Sequence, residues 1–171
     1  MPRATATIRG TAAIPHLVPE LRLFVLEVLD PAFPRADGVS GYAVGEGPRD
    51  RATQDAYYAG PESEAPWGES AHNFDPSWGV GLYPIRDGVV SNERSDYDPI
   101  VGLVDSMGGL FKSGADWGWD AGHVEVFGWR AVEPEYTPML EVGDGSTDRA
   151  GVAVGGLVLL ALGVVASKVL S

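Results

Sequence analysis

The chain has 171 residues, with 12 Lys and Arg against 24 Asp and Glu, a formal net charge of −12 and no Cys. Its length suits one domain of about 100–150 residues with a short appendage. The lack of Cys excludes a disulfide scaffold and any site built on thiolates. The acidic balance argues against a nucleic-acid partner, because phosphate binding requires clustered basic residues.

Three helices are predicted in the first 132 residues. Residues 20–29 carry apolar side chains at helical spacing and stop at an Asp-Pro pair, while residues 50–59 form a second helical segment that stops at a Gly-Pro pair. Asp98 is expected to be the N-cap of a third helix, because Pro99 suits the first helical position.

Strands are predicted at residues 80–85 and 123–129. In the second of these, alternation places His123, Glu125 and Phe127 on one face. Helices and strands do not alternate regularly along the chain, which favours the α+β class over a doubly wound parallel sheet.

The C-terminal segment differs in character from the rest of the chain. Residues 150–167 contain no charge, and about 20 apolar residues, with a lower limit near 17, are enough to span a bilayer core. The segment has no polar face, and its Gly151-x-x-x-Gly155 spacing suits close packing of helices in lipid. The sequence therefore predicts a transmembrane helix at residues 150–170.

This segment sets the expected organisation of the chain. Residues 1–132 form the predicted folded domain, and residues 133–149, rich in Pro and Gly, form a linker to the membrane helix. The N-terminal end lacks a basic stretch followed by an apolar one, so no signal peptide is expected. The expected localisation is membrane-anchored.

The chain has only three histidines, so every possible histidine-based site can be considered in turn. His16 lies beside a proline and is expected at the surface, whereas His72 lies in a polar loop. His123 begins a predicted strand, three residues after Asp120. This spacing can serve metal chemistry, because an imidazole binds zinc and a carboxylate accepts a proton from zinc-bound water. The alternative interpretation of so short a pattern is a solvated strand end.

Several short blocks occur in a fixed order between residues 17 and 129. They are residues 46–50 (EGPRD), 54–60 (QDAYYAG), 70–74 (SAHNF) and 108–117 (GGLFKSGADW), the last followed by 120–125 (DAGHVE). Together they resemble the M15-type zinc peptidases, which include VanY-like D,D-carboxypeptidases and phage L-alanyl-D-glutamate endolysins.

The resemblance implies an α+β fold with a small antiparallel sheet and flanking helices, as in M15 and Hedgehog-like domains. It also implies that His72 and His123 bind zinc and that Asp120 is the general base. Arg49 would bind a substrate carboxylate or steady the oxyanion, and Trp117 would support the site and contact substrate. The alternative for Arg49 is an exposed charge before a helix.

One departure from the family pattern affects the implied metal site. The family's second zinc ligand, an aspartate, would fall on Gly81 or Tyr83, neither of which is a carboxylate. Catalytic zinc sites normally have three protein ligands and a water. Asp75, three residues after the first ligand histidine, is the candidate replacement, with Asp87 and Glu125 less favoured.

The function expected from the resemblance is zinc-dependent cleavage of peptidoglycan stem peptides by a membrane-anchored phage or prophage lysin or virion-associated protein. The alternative is a catalytically inactive M15-like domain that serves as an anchored structural or interaction protein of a membrane-containing virion or a cell envelope. The expected partners are the stem peptide, the lipid bilayer and virion structural proteins, and the expected cofactor is zinc.

Overall fold

The computed structural model describes residues 10–132. The linker predicted at residues 133–149 and the membrane helix predicted at residues 150–170 lie outside the described residues. Between residues 10 and 132 no helix has both the length and the apolar character needed to cross a bilayer.

Helices and strands are mixed along the described part of the chain. The α-helices are α1 (Pro19–Leu29), α2 (Arg51–Ala59), α3 (Asp98–Ser106) and α4 (Trp129–Val132). The strands are β1 (Val39–Val44), β2 (Gly79–Arg86), β3 (Val89–Val90), β4 (Phe111–Ser113) and β5 (His123–Val126). Short 3-10 helices lie at Gly10–His16, Arg94–Tyr97 and Gly114–Trp117. The mixture confirms the α+β class.

The strands form one small antiparallel sheet in the order β1-β2-β5-β4, with β3 paired to the end of β2. Strand β2 is central, because its second half pairs with β1 and its first half with β5. Asp87 and Gly88 join β2 to β3 with positive φ angles of 51° and 78°. Two consecutive residues with positive φ are the requirement of a type I′ hairpin turn.

Helix α1 covers one face of this sheet. Its inward residues include Leu21 and Phe24, and the Phe24 ring centroid lies 4.9 Å from that of Phe111 on β4. Val80 and Leu82 of β2 are fully buried in the same core. Side chains alternate between the two faces of a strand, so the intervening residues of β2 lie on the opposite face. That opposite face carries the candidate site.

Element boundaries differ from the sequence predictions at two places. Helix α3 begins at Asp98 with Tyr97 in the N-cap position, so the assignment of Asp98 as N-cap is wrong by one residue. Strand β5 ends at Val126 instead of residue 129, because Gly128 has a φ of 74° and Trp129 begins α4.

Candidate functional site

Two histidines that are 51 residues apart in sequence meet in the structure. His72 Nε2 lies 3.1 Å from His123 Nδ1, and the two rings are edge-on with centroids 5.1 Å apart. Both residues are buried, with 4% and 7% of their surface exposed. The structure therefore brings the two histidines that the resemblance implied as zinc ligands into direct contact.

The remaining nitrogen of each imidazole is bonded to an acceptor. His72 Nδ1 lies 2.8 Å from the carbonyl oxygen of Gly47, and His123 Nε2 lies 3.2 Å from Glu125 Oε2. A carbonyl or a carboxylate can only accept, so both of these nitrogens carry hydrogen. In the neutral tautomers His72 Nε2 and His123 Nδ1 then present lone pairs to each other. A second proton on either ring would turn this contact into a hydrogen bond, and a cation between the nitrogens would also satisfy both lone pairs.

Burial and neighbouring charges shift the pKa values of His72 and of Glu125. Burial, together with the charges of Arg49 and His123, holds the pKa of His72 well below its usual value, so this imidazole is neutral at pH 7. Burial raises the pKa of Glu125, but its hydrogen bond to His123 and the charges of His123 and Arg130 outweigh that effect. The pKa of Glu125 is therefore lowered, and the carboxylate is ionised beside His123.

A third metal-binding side chain is missing from this arrangement. Among residues 10–132 no three His, Cys, Asp or Glu side chains come together in a way that could hold a metal ion. Asp75 does not join the pair, because its exposed carboxylate lies 3.3 Å from Nδ1 of His16. Asp87 lies in the β2–β3 turn, and Glu125 is bonded to His123. The described residues do not fit a three-ligand zinc site.

Glycines occupy the positions of β2 nearest the histidine pair. A Cβ atom added to Gly79 would lie 3.2 Å from His72 Nε2 and 3.2 Å from His123 Cε1. Gly81 pairs directly with His123 across the sheet, and a Cβ there would lie 2.8 Å from the hydroxyl oxygen of Tyr83. Residues 79, 81 and 83 share one face, so the pair faces two glycines and a phenol.

Arg49 is held beside this pair with a fixed orientation. Its backbone N–H donates to the carbonyl of His72 at 2.6 Å. Its guanidinium donates twice to Glu46 Oε2, at 3.0 and 2.5 Å, and once to Gln54 Oε1, at 2.7 Å, with the Tyr57 ring centroid 4.6 Å away. With 7% of its surface exposed, Arg49 is a buried, paired residue and not a surface charge.

Glu46 and Gln54 position the site, and the motif analysis gave neither of them a role. Gln54 is fully buried and accepts from both Arg49 and Asn73 Nδ2, the latter at 3.1 Å, while its amide donates to the carbonyl of Ala65 at 2.5 Å. Glu46 Oε1 is buried and has no hydrogen-bond partner among the described residues. Glu46 lies three residues before Arg49 within one sequence block, and this spacing is the sequence feature that could have indicated their ion pair.

Trp117 and Asp120 also lie at the site. The ring centroids of Trp117 and His123 are 4.9 Å apart, with 38° between the ring planes. The ring centroid of Trp119 lies 5.9 Å from that of Trp117. The carbonyl of Asp120 accepts from the backbone N–H of His123 at 3.1 Å. The charge of Asp120 also contributes to the raised pKa of Tyr83, after the larger effect of burial.

No protein-family model and no curated protein matches this chain. Among solved structures it is similar to the crystal structure of the Serratia marcescens L-Ala D-Glu endopeptidase ChiX, with a TM-score of 0.52 and 21% sequence identity. The match covers 75% of this chain and 93% of that one. The described domain therefore has a peptidase-like fold, as the sequence resemblance implied.

Proposed function

We propose that the described domain binds stem peptides of peptidoglycan in the cleft of a peptidase-like fold, without the zinc-dependent cleavage expected from the resemblance. The likeness to an L-Ala D-Glu endopeptidase supports this class of ligand. The observation that carries the proposal is the meeting of His72 and His123 without a group of three side chains that could hold a metal ion among residues 10–132.

Arg49 and Tyr83 supply the polar groups for a peptide ligand. The Arg49 guanidinium has five N–H donors in all and gives three hydrogen bonds to Glu46 and Gln54, which fix the direction of its fork. Burial, followed by the charges of Asp120 and Glu46, raises the pKa of Tyr83 far above its usual value, so the phenol keeps its proton. These donors suit the carboxylates and carbonyl oxygens of a stem peptide.

The facing lone pairs favour a second candidate function. A cation between His72 Nε2 and His123 Nδ1 would satisfy both nitrogens, as in a peptidoglycan peptidase whose site is completed by a donor outside the described residues. This candidate differs from the first in one observable, which is cleavage of the bound peptide.

Calorimetric titration of the full chain with synthetic stem peptides tests the proposal. One peptide contains the L-Ala-D-Glu bond and another ends in D-Ala-D-Ala, and each is titrated after chelation and again after zinc is supplied. We expect saturable binding and, by mass spectrometry, no cleavage under either condition. Cleavage with zinc would favour the peptidase, and a failure of both peptides to bind would contradict both candidates.

We also propose that residues 150–170 anchor the domain to a bilayer, which would hold the peptide cleft close to a membrane. The absence of charge between residues 150 and 167 supports this localisation.

A further inference from the structure

The ring of Tyr83 packs against three glycines, Gly45, Gly81 and Gly122, near the histidine pair. A Cβ atom on Gly45 would overlap the ring, and one on Gly122 would lie 3.2 Å from its Cε1 atom. A Cβ atom on Gly81 would lie 2.8 Å from the hydroxyl and 3.1 Å from Cζ. These three glycines come from the end of β1, from β2 and from the residue before β5. The ring therefore occupies volume that side chains on three neighbouring segments would otherwise fill.

Position 81 is the place from which a third ligand could reach the pair. It lies directly across the sheet from His123, and directly paired residues have Cβ atoms about 4.5–5.5 Å apart. Position 79 lies closer to the two histidines than position 81 does. A Cβ atom there would already contact both imidazole rings, which leaves no room for a carboxylate and a metal ion. A side chain at position 81 would instead meet the Tyr83 hydroxyl.

We propose that Tyr83 fills the place beside His72 and His123 where a third metal-binding side chain would stand, and that this closes the site to zinc. The phenol is a poor substitute ligand, because its half-buried ring is packed over Gly45 and Gly81 and its hydroxyl keeps its proton. The inference rests on the proposed metal-free binding function and gives it a structural cause.

Zinc content of the full chain, purified without a histidine tag, tests this proposal. Each protein is incubated with zinc, desalted and measured by mass spectrometry of the metal. We expect no stoichiometric zinc in the wild type, in Gly81→Asp or in Tyr83→Ala. The first two keep the phenol in place, and the third still has only two ligands. The double variant Gly81→Asp/Tyr83→Ala should bind about one zinc per chain, because it supplies the carboxylate and removes the ring.

A matched control separates the ring from its hydroxyl. Gly81→Asp/Tyr83→Phe keeps the ring carbon that lies 3.1 Å from the new Cβ, so it should bind less zinc than the alanine double variant. Thermal unfolding by circular dichroism checks that each variant is folded. If alanine prevents folding, Gly81→Asp/Tyr83→Leu takes its place, because leucine keeps apolar packing over Gly45 without reaching over position 81.

Three results would overturn the proposal: one zinc per wild-type chain, one zinc in Gly81→Asp alone, or no zinc in a folded double variant. Imidazole nitrogen shifts measured by NMR give a second readout, since zinc should move those of His72 and His123 only in the double variant. Failure of the wild type to bind stem peptides would reject the proposed function and leave these metal results unchanged, so the two failures are distinguishable.

Discussion

Arg49 illustrates how strongly the orientation of a site residue depends on the side chains that it bonds to. The resemblance gave it a role in binding a carboxylate, and the structure adds that Glu46 compensates its charge and Gln54 fixes its plane. A buried ion pair of this kind contributes orientation more reliably than stability, because both charges have been desolvated. The guanidinium is therefore held in one fixed orientation beside His72.

Replacing Arg49 with lysine tests that orientation. Lysine keeps the charge but has no planar fork, so it cannot satisfy Glu46 and Gln54 together. We expect stem-peptide affinity to fall about tenfold or more, since a hydrogen bond to a charged group contributes about 1.5–3 kcal/mol and about 1.4 kcal/mol is a factor of ten. Calorimetry measures the change, with the exposed Arg51→Lys as the matched control. Equal affinity in the two variants would contradict a ligand role for Arg49.

The candidate site was predictable only as far as the residue blocks extended. His72 and His123, which the resemblance implied as zinc ligands, lie in contact, and the backbone N–H of Arg49 donates to the carbonyl of His72. Asp75 was favoured as a third ligand because it is close to His72 in sequence, yet its carboxylate lies against His16. Proximity in sequence does not set the direction of a side chain in a loop. The sequence marked Tyr83 only as a possible ligand position. The packing of its ring against Gly45, Gly81 and Gly122 depends on contacts between distant segments, which the sequence does not predict.

Among the elements, those with strong periodicity were predictable and the short strands were not. Helices α1 and α2 lie within one residue of their predicted bounds, because an Asp-Pro or Gly-Pro stop ends each, apolar spacing marks α1 and the Asp50 cap begins α2. Strands β1, β3 and β4 were missed, since strands of two to six residues carry little pattern of their own. The Asp-Gly pair at residues 87–88 is a hairpin signal that could have located β3.

The end of β2 is tied to the 3-10 helix at Arg94–Tyr97 by a bidentate ion pair. Arg86 Nε and Nη2 donate to the Asp96 carboxylate at 2.9 and 2.5 Å, and Ser91 Oγ donates to it at 2.5 Å. The hydrogen bond from Arg86, then that from Ser91, lowers the pKa of Asp96 below its usual value. Lowering the pKa of a carboxyl in the folded state adds stability above the unfolded pKa, and this stability is lost as the pH falls through the folded pKa.

We therefore expect the free energy of unfolding of the wild type to decrease as the pH is lowered from about 5 to about 2, across the ordinary aspartate pKa near 4 and below it. Asp96→Asn should be less stable at pH 7 and should show a shallower decrease, because the amide does not titrate and pairs poorly with Arg86. Urea unfolding over a series of pH values measures both effects. Asp105→Asn, on the exposed side of α3, is the control, and parallel curves for Asp96→Asn and wild type would refute the assignment.

At the scale of the whole molecule, the peptidase-like fold and the missing third ligand lead to the same proposal. The match to the endopeptidase covers 93% of that chain, so the likeness in fold extends over nearly its whole length. Within residues 10–132 the two histidines lie in contact, the backbone N–H of Arg49 donates to the carbonyl of His72, and no three metal-binding side chains come together. A group of polar side chains without a complete metal set fits the proposed binding of a peptide better than its zinc-dependent cleavage.

The proposed anchor at residues 150–170 can be tested in the full chain. A charged residue at the centre of a membrane helix costs about 2.5–3.5 kcal/mol on insertion scales, so two of them should prevent stable insertion. We expect the wild type to remain with the membrane fraction after an alkaline carbonate wash and the double variant Leu159→Arg/Leu160→Arg to be released. The control Ser146→Arg/Thr147→Arg places the same charges in the predicted linker and should stay with the membrane. Release of the wild type would contradict an anchor, and release of both variants would show that added charge alone, wherever it lies, detaches the chain.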